Sequence, residues 1–355
     1  MKKTILITGG CGFVGSNLAV FFKTSYPGYS IIALDNLKRR GSELNINRLK
    51  DAGVEFIHGD IRNREDFDQV GPIDLLIEAS AEPSVLAGIN SSLDYLINTN
   101  LNGTINCLGY AAKHQAGFLF LSTSRVYPIK HIENIRFTET TSRFEMLAAQ
   151  DMTGVSAAGI NENFPLDGCR TFYGATKLAS ELLIHEYNAM LRMKTVINRC
   201  GVITGPYQMG KVDQGVVVLW VARHFWKNKL GYFGYGGEGK QVRDILHIHD
   251  LYRLIDLQVH DMDKFNGQVF NVGGGHGCSV SLKELTALCE EVTGNKIVIE
   301  NIPENRQADI RTYITDNTKI TALSGWRPEK NPKDIIAEIH GWIRENQLIL
   351  NNILN

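Results

Sequence analysis

The feature that most restricts the fold is at the start of the chain. A short apolar run, residues 4–8 (TILIT), leads into Gly9-Gly10-Cys11-Gly12-Phe13-Val14-Gly15 and then into a helical stretch over 12–23. Glycines at 9, 12 and 15 have the spacing of a turn that carries the chain from strand to helix beneath a ligand. They allow a tight turn, close backbone approach to a pyrophosphate, and close packing of helix on strand. The helix N-terminus then offers N–H groups and the positive end of its dipole to the phosphates. Alone, such glycines make a tight turn and nothing more; the strand before and the helix after give the spacing its meaning.

Apolar runs at 30–35, 54–59, 75–79 and 117–122 alternate with helical patterns. Strands separated by helices predict βαβ units, hence an α/β chain with a doubly wound parallel sheet of Rossmann type. Asp35 ends the second strand, 20 residues beyond Gly15. A carboxylate there accepts hydrogen bonds from the adenine ribose and repels a 2′-phosphate, so NAD is the expected cofactor. A turn or cap aspartate is the plain alternative, and the neighbouring Lys38-Arg39-Arg40 could accommodate a 2′-phosphate. The position of Asp35 favours NAD.

At 355 residues the chain exceeds the size at which one core usually stops growing, so two lobes are expected. The pattern changes near Arg199: glycines crowd 231–239, and 242–272 regains a strand-helix-strand character. This predicts a cofactor lobe of 1–200 plus about 242–272. A smaller α/β substrate lobe of about 201–241 plus 273–355 follows. A last helix carries Ile335, Ile336, Ile339, Trp342 and Ile343 at helical spacing, as a core face does. Lys+Arg (37) nearly balance Asp+Glu (38), leaving no basic excess to bind nucleic acid. The six cysteines are scattered without metal-ligand spacing, so no metal is expected and a reduced cytoplasm fits best. No window approaches the run of about 18 apolar residues of a membrane helix. The first apolar stretch is too short for a signal-peptide core.

Tyr173 and Lys177 lie four residues apart at the head of a helix striped by Leu178, Ala179, Leu182, Leu183 and Tyr187. That spacing puts ammonium and phenol on one helical face. A free tyrosine titrates at about 10; a neighbouring cation and the positive nicotinamide ring favour the phenolate and make it a usable base. By itself the pair matches many surface Tyr–Lys pairs; downstream of the glycine turn it reads as catalytic. Ser122-Thr123-Ser124 follows the apolar run 118–121, at a strand end where such sheets present side chains to ligands. A hydroxyl there can share a substrate proton with Tyr173, or can simply cap the backbone.

The stretches TGGCGFVG, DNL, HGDI (58–61), NLNGT (100–104), STSRVY, YGATK, GKQVRD (239–244), FNVGG (270–274) and GW-R-P (325–328) occur in the order seen in nucleotide-sugar epimerases and dehydratases. The chain resembles that family of extended short-chain dehydrogenase/reductases over essentially its whole length. The resemblance implies hydride transfer between a sugar carbon and tightly held NAD. By it, Gly9, Gly12, Phe13, Val14, Asp35, Asn36, Asp60, Ile61, Ser80, Ala81, Asn100, Tyr173 and Lys177 look like cofactor contacts. Thr123, Tyr173 and Lys177 look catalytic, and Thr123, Ser124 and Gln214 look like substrate contacts. Arg243 and Arg306 look like the guanidiniums that hold the diphosphate of a nucleotide sugar, a pairing that suits bidentate recognition. A homodimer built on the helices after Asn100 and Tyr173, or a tetramer doubled from it, is also implied.

Within the family, three stretches resemble CDP-paratose (CDP-tyvelose) 2-epimerases: the insertion between Tyr127 and Tyr173 with Gly159-Ile160-Asn161-Glu162, then Asp213-Gln214-Gly215, then GKQVRDILH (239–247). This implies epimerisation at C2 of a CDP-hexose. The chain departs from the family at Glu78-Ala79-Ser80-Ala81, where His-Leu-Ala-Ala is frequent, at Phe172 in place of proline, and at Val202 in place of asparagine. Dehydration of the 4,6 type needs an Asp-Glu pair after the catalytic hydroxyl; Ser124-Arg125 offers no carboxylic acid. A UDP-sugar 4-epimerase remains an alternative, as does a keto-sugar reductase, which usually prefers NADP. A non-catalytic NAD sensor would keep the glycines but have no need of Thr123, Tyr173 and Lys177.

Overall fold

A computed structural model describes residues 2–89, 92–210 and 214–354. The chain divides into two units, Met1–Val126 with Phe172–Arg199 and Tyr252–Val269, and Tyr127–Thr171 with Cys200–Leu251 and Phe270–Asn355.

The first unit is organised on a seven-stranded sheet of β1 (Thr4–Thr8), β2 (Ser30–Asp35), β3 (Glu55–His58), β4 (Leu75–Glu78), β5 (Gly117–Thr123), β6 (Thr195–Cys200) and β7 (Gln268–Val272). Their spatial order is β7-β6-β5-β4-β1-β2-β3. The pairs β1–β2, β1–β4, β2–β3 and β4–β5 are parallel. The chain winds outward from β1 in both directions, so the order reverses between β1 and β4, where such sheets bind ligands. Helices on both faces explain why the strands are continuous apolar runs with Ile5, Leu6 and Ile7 fully buried. Helix α1 (Phe13–Ser25) packs on β1 and β2; α2 (Gly103–Lys113) and α3 (Phe172–Leu191) pack on β5 and on each other.

In α3 only part of the expected apolar stripe faces inward: Leu183 and Tyr187 pack on the core beside Ile184. Leu182 is 62% exposed, while Tyr173, Gly174, Thr176, Lys177, Ser180, Glu181 and Ile184 are buried. Much of the inner face is polar and bonds β5, β6 and Asn100, so hydrophobicity alone does not orient the helix.

The second unit contains a sheet in which Val242–His247 runs parallel to Val202–Thr204 and Thr312–Tyr313 and antiparallel to Ser279–Ser281. Leu230–Phe233 and Ile299–Ile302 form a separate parallel pair. Its core joins helices Val216–Phe225, Leu282–Thr293, Pro332–Glu345 and Gln347–Leu354. Ser281 and Glu284 close a reciprocal capping box on Leu282–Thr293. All five expected apolar residues of Pro332–Glu345 are buried. The insertion 127–171 also belongs here. Ile160 N donates to Ile314 O at 2.8 Å, and Asp316 N to Ile160 O at 3.0 Å.

The division therefore runs differently from the sequence expectation, which placed 127–171 and 242–251 with the cofactor lobe. Strand Val242–His247 pairs within the second sheet, whereas β7 joins the first. An apolar run shows that a strand exists without showing which strand it pairs with.

Candidate cofactor and catalytic site

Gly9 has φ +65°, and a Cβ there would lie 2.8 Å from the backbone of Ala79 and Ser80. The glycine loop thus rests directly on the chain leaving β4, which brings Ser80 beside it. A Cβ on Gly15 would collide with the Gly9 carbonyl, so the close approach of α1 to the loop excludes any side chain. Gly12 is the N-cap of α1; no side chain caps this helix, and its first turn has no acidic residue. The amides of Phe13, Val14 and Gly15 therefore start a positive helix end suited to a pyrophosphate. This cradle fits NAD.

Asp35 is buried at the end of β2. Its Oδ2 accepts from Cys11 N at 3.0 Å and its Oδ1 from Leu37 N at 2.7 Å. Burial raises its pKa, against the lowering effect of the Leu37, Cys11 and Gly12 amides. The carboxyl group thus shapes the glycine loop. Asn36 Nδ2 donates to Asp60 Oδ2 at 2.9 Å, and Arg62 grips both Asp60 oxygens at 2.6–3.0 Å. Burial raises the Asp60 pKa, but Arg62 and Asn36 outweigh it and hold it below the ordinary value. Asn106 Nδ2 donates to Ile61 O at 2.8 Å. Lys38 and Arg62 both lie over the Tyr95 ring, 5.4 and 5.0 Å from its centroid. Arg62, Tyr95 and Asn106 were not singled out from the sequence; only the position of Arg62 just after HGDI signals its part.

Asn100 is fully buried. Its side chain accepts from Glu82 N at 2.8 Å and donates to Glu82 O at 3.0 Å, with Thr176 Oγ1 at 3.4 Å. It thereby ties the loop after β4 to α3.

Thr123 ends β5 and is buried, its Oγ1 accepting from Arg125 N at 3.2 Å. The preceding Ser122 donates instead to Glu181 on α3, which is paired with Arg199 through two oxygens at 2.6–3.1 Å. Ser122 is therefore structural, and Thr123 is the hydroxyl at the strand end. Ser124 opens the short turn Ser124–Val126. Tyr173 and Lys177 both sit on the buried face of α3. Lys177 is 2% exposed; its Nζ donates to Leu121 O at 3.0 Å and stands 4.3 Å from the Phe120 ring centroid. The ammonium is pinned to β5, the strand that ends at Thr123.

The second unit carries the remaining expected residues. Arg243 donates to Asp309 Oδ1 at 3.0 Å, Ile310 O at 2.7 Å and Val242 O at 2.8 Å. The Arg306 guanidinium carbon lies 3.7 Å from the Phe233 ring centroid. Both arginines thus belong to one unit, and the Arg243–Asp309 pair anchors the segment that carries Arg306. Gln214 precedes Gly215, the N-cap of Val216–Phe225; Asp213 lies outside the described residues. Among the described residues, no group of His, Cys, Asp and Glu side chains is placed to hold a metal ion, and no helix is long and apolar enough to cross a membrane.

A model of the NAD dependent epimerase/dehydratase family matches residues 5–273. The chain is 32% identical to CDP-paratose 2-epimerase of Salmonella typhi, over 95% of this chain and 98% of that protein. It is 26% identical to dTDP-glucose 4,6-dehydratase of Streptomyces niveus, over 97% and 93% of the two chains. The structure of UDP-glucose 4-epimerase from Thermotoga maritima superimposes with a TM-score of 0.75 at 25% identity, over 97% and 99% of the chains. The chain belongs to the NAD dependent epimerase/dehydratase family, as an NAD-dependent enzyme of the nucleotide-sugar epimerase type.

Proposed function

We propose that the protein epimerises C2 of a CDP-hexose, with Thr123, Tyr173 and Lys177 as its catalytic residues. The observation that carries the reading is the anchored Lys177 on one helical face with Tyr173, against the strand that ends at Thr123. The 2-epimerase relative, matched over 95% of this chain, supports C2 and a CDP carrier. Ser124-Arg125 after the strand-end threonine leaves no carboxylic acid for dehydration.

Bound NAD supplies the reversible two-electron oxidation of a carbinol carbon, so a keto-sugar that turns over before re-reduction is inverted at that carbon. Tyr173 Oη takes the hydroxyl proton as the carbon is oxidised and gives it back on reduction. Lys177 holds the phenolate form by its charge. Thr123 Oγ1 shares the substrate proton and orients the hydroxyl. Gly9, Gly12, Phe13, Val14, Asp35, Asn36, Asp60, Ile61, Ser80, Ala81 and Asn100 shape the cofactor cradle. Arg243 and Arg306 hold the diphosphate, with Ser124 and Gln214 as further substrate contacts.

Incubation with CDP-paratose, CDP-tyvelose and UDP-glucose, read by NMR for configuration at C2 and C4, tests the reading. Inversion at C2 of a CDP-sugar without consumption of added NAD supports it. Inversion at C4 of UDP-glucose alone would favour the 4-epimerase reading, for which the Thermotoga maritima likeness speaks. Stoichiometric oxidation of NADPH would instead mark a reductase.

A further inference from the structure

Glu78 ends β4 and is fully buried. In the sheet it is paired with Thr8 of β1 on one side and Phe120 of β5 on the other. Its Oε1 accepts from Thr104 Oγ1 of α2 at 2.6 Å, while its Oε2 is buried and accepts no hydrogen bond from any described residue. A carboxylate oxygen left without a donor in an apolar interior is costly, and the usual answer is protonation or a nearby cation. The cation is Lys177, whose Nζ lies over the ring of Phe120, the cross-strand partner of Glu78. From α2, Cys107 also faces the carboxyl group, and β1 and β5 set Thr8 and Phe120 in register with it.

We propose that Glu78 is a positioning residue for Tyr173 acting through Lys177, a buried carboxyl group whose protonation decides how much of the ammonium's field reaches the tyrosine. This rests on the reading of Tyr173 and Lys177 as the catalytic pair. When Glu78 is neutral, it no longer compensates the Lys177 charge, and more of that field acts on the phenol. When Glu78 ionises, it compensates that charge, and the phenolate loses part of its support. Burial raises the Glu78 pKa from 4.5 to about 7, against the lowering influence of Lys177 and Thr104, so the change falls at neutral pH. Glu78 and Tyr173 then titrate as an interacting pair, and the tyrosine's ionisation is spread over a wider pH range than a single group shows.

The test needs no substrate. Tyr173 ionisation is followed in the NAD-loaded protein by phenolate absorbance, as the difference between each protein and the same protein carrying Tyr173→Phe. Glu78→Gln keeps the shape and fixes the neutral state. The Tyr173 midpoint is expected to fall by roughly one pH unit and its titration to steepen to that of a single group. Thr104→Val removes the hydroxyl that favours ionised Glu78 and should move the midpoint in the same direction by less. An unchanged midpoint and slope in both variants overturns the proposal and leaves Glu78 a buried structural acid. A Tyr173 that titrates near the ordinary tyrosine value in every protein overturns instead the catalytic reading on which the proposal rests.

Discussion

Lys177 Nζ donates to the carbonyl oxygen of Leu121 at 3.0 Å, two residues before Thr123. The bond turns a helical spacing of four into a fixed point on the sheet, because the ammonium cannot swing to solvent without abandoning a buried acceptor. Under the proposed mechanism, Tyr173→Phe should lower turnover of the epimerised sugar by about 10²–10⁴-fold while NAD stays bound. Thr123→Val should lose less, since its hydroxyl shares the proton without being its final acceptor. Initial rates on folded variants, with NAD content assayed after denaturation, check both. Near-wild-type rates for Tyr173→Phe would sink the mechanism whatever the sugar.

Asp35→Ala is expected to weaken NAD binding and relax discrimination against NADP. A charged hydrogen bond is worth roughly 1.5–3 kcal/mol, or about 10–150-fold in affinity. Part of the loss comes from the protein itself, since Asp35 also accepts from Cys11 N and Leu37 N. Calorimetric titration of both cofactors separates the contributions: loosening of the loop weakens both alike, whereas lost repulsion of the 2′-phosphate narrows the gap between them. An unchanged ratio would assign cofactor choice to the basic residues 38–40.

The glycine turn, the strand positions and Asp35 were legible because their signals are local. The spacing of Gly9, Gly12 and Gly15 and the apolar runs each lie within a dozen residues. What escaped is set by pairing between distant segments. Nothing local to Val242–His247 shows that it pairs with Val202–Thr204. Glu78 reads as an irregularity at a strand end until Thr104 and Lys177 are seen around it. Of the α3 leucines, Leu183 packs on the core while Leu182 is open to water, and the polar Thr176, Lys177, Ser180 and Glu181 fill much of the inner face. Ser122 and Thr123, equivalent on the page, were separated only by Glu181, 59 positions along the chain from Ser122.

The raised pKa of Glu78 fixes the sign of a stability effect. With the folded value near 7 and the ordinary value at 4.5, the folded protein holds this proton more tightly. Stability linked to Glu78 is therefore fully present below about pH 4.5 and is lost as pH rises through about 7. The loss is on the order of 3 kcal/mol. The buried Asp35 and Asp244 and the half-buried Glu162 are shifted in the same direction. The difference between the chain and its Glu78→Gln variant isolates the one group. Urea midpoints at pH 5 and pH 8 should diverge between the two proteins, with the variant gaining relative stability at the higher pH. Parallel curves would show that Glu78 remains ionised throughout.

The exposed Leu182 on α3 bears on assembly. A large apolar residue open to water on a helix whose opposite face is buried loses less if a second copy covers it. Family resemblance suggests a dimer on this helix, and Leu182→Glu should shift the protein toward monomer in light scattering. A dimer that survives the charge unchanged would place the contact elsewhere.

Glu181 and Arg199 form a buried ion pair that also receives Ser122, joining α3, β5 and β6 behind the site. Pairs of this kind are expensive to desolvate, so their worth is shown by breaking them one side at a time. Arg199→Met leaves an uncompensated carboxylate in the interior and should cost about 3–5 kcal/mol in urea unfolding. Glu181→Leu strands a guanidinium and should cost a similar amount. The double variant removes both charges and should recover most of the loss, because two apolar side chains need no partner there. Its residual defect should appear in activity instead. Ser122 loses its acceptor, β5 loses a link to α3 near Lys177, and turnover should fall even where stability is regained. Additive losses in the double variant would mean that the two side chains are held by other neighbours, and that the pair contributes nothing specific to the placement of α3.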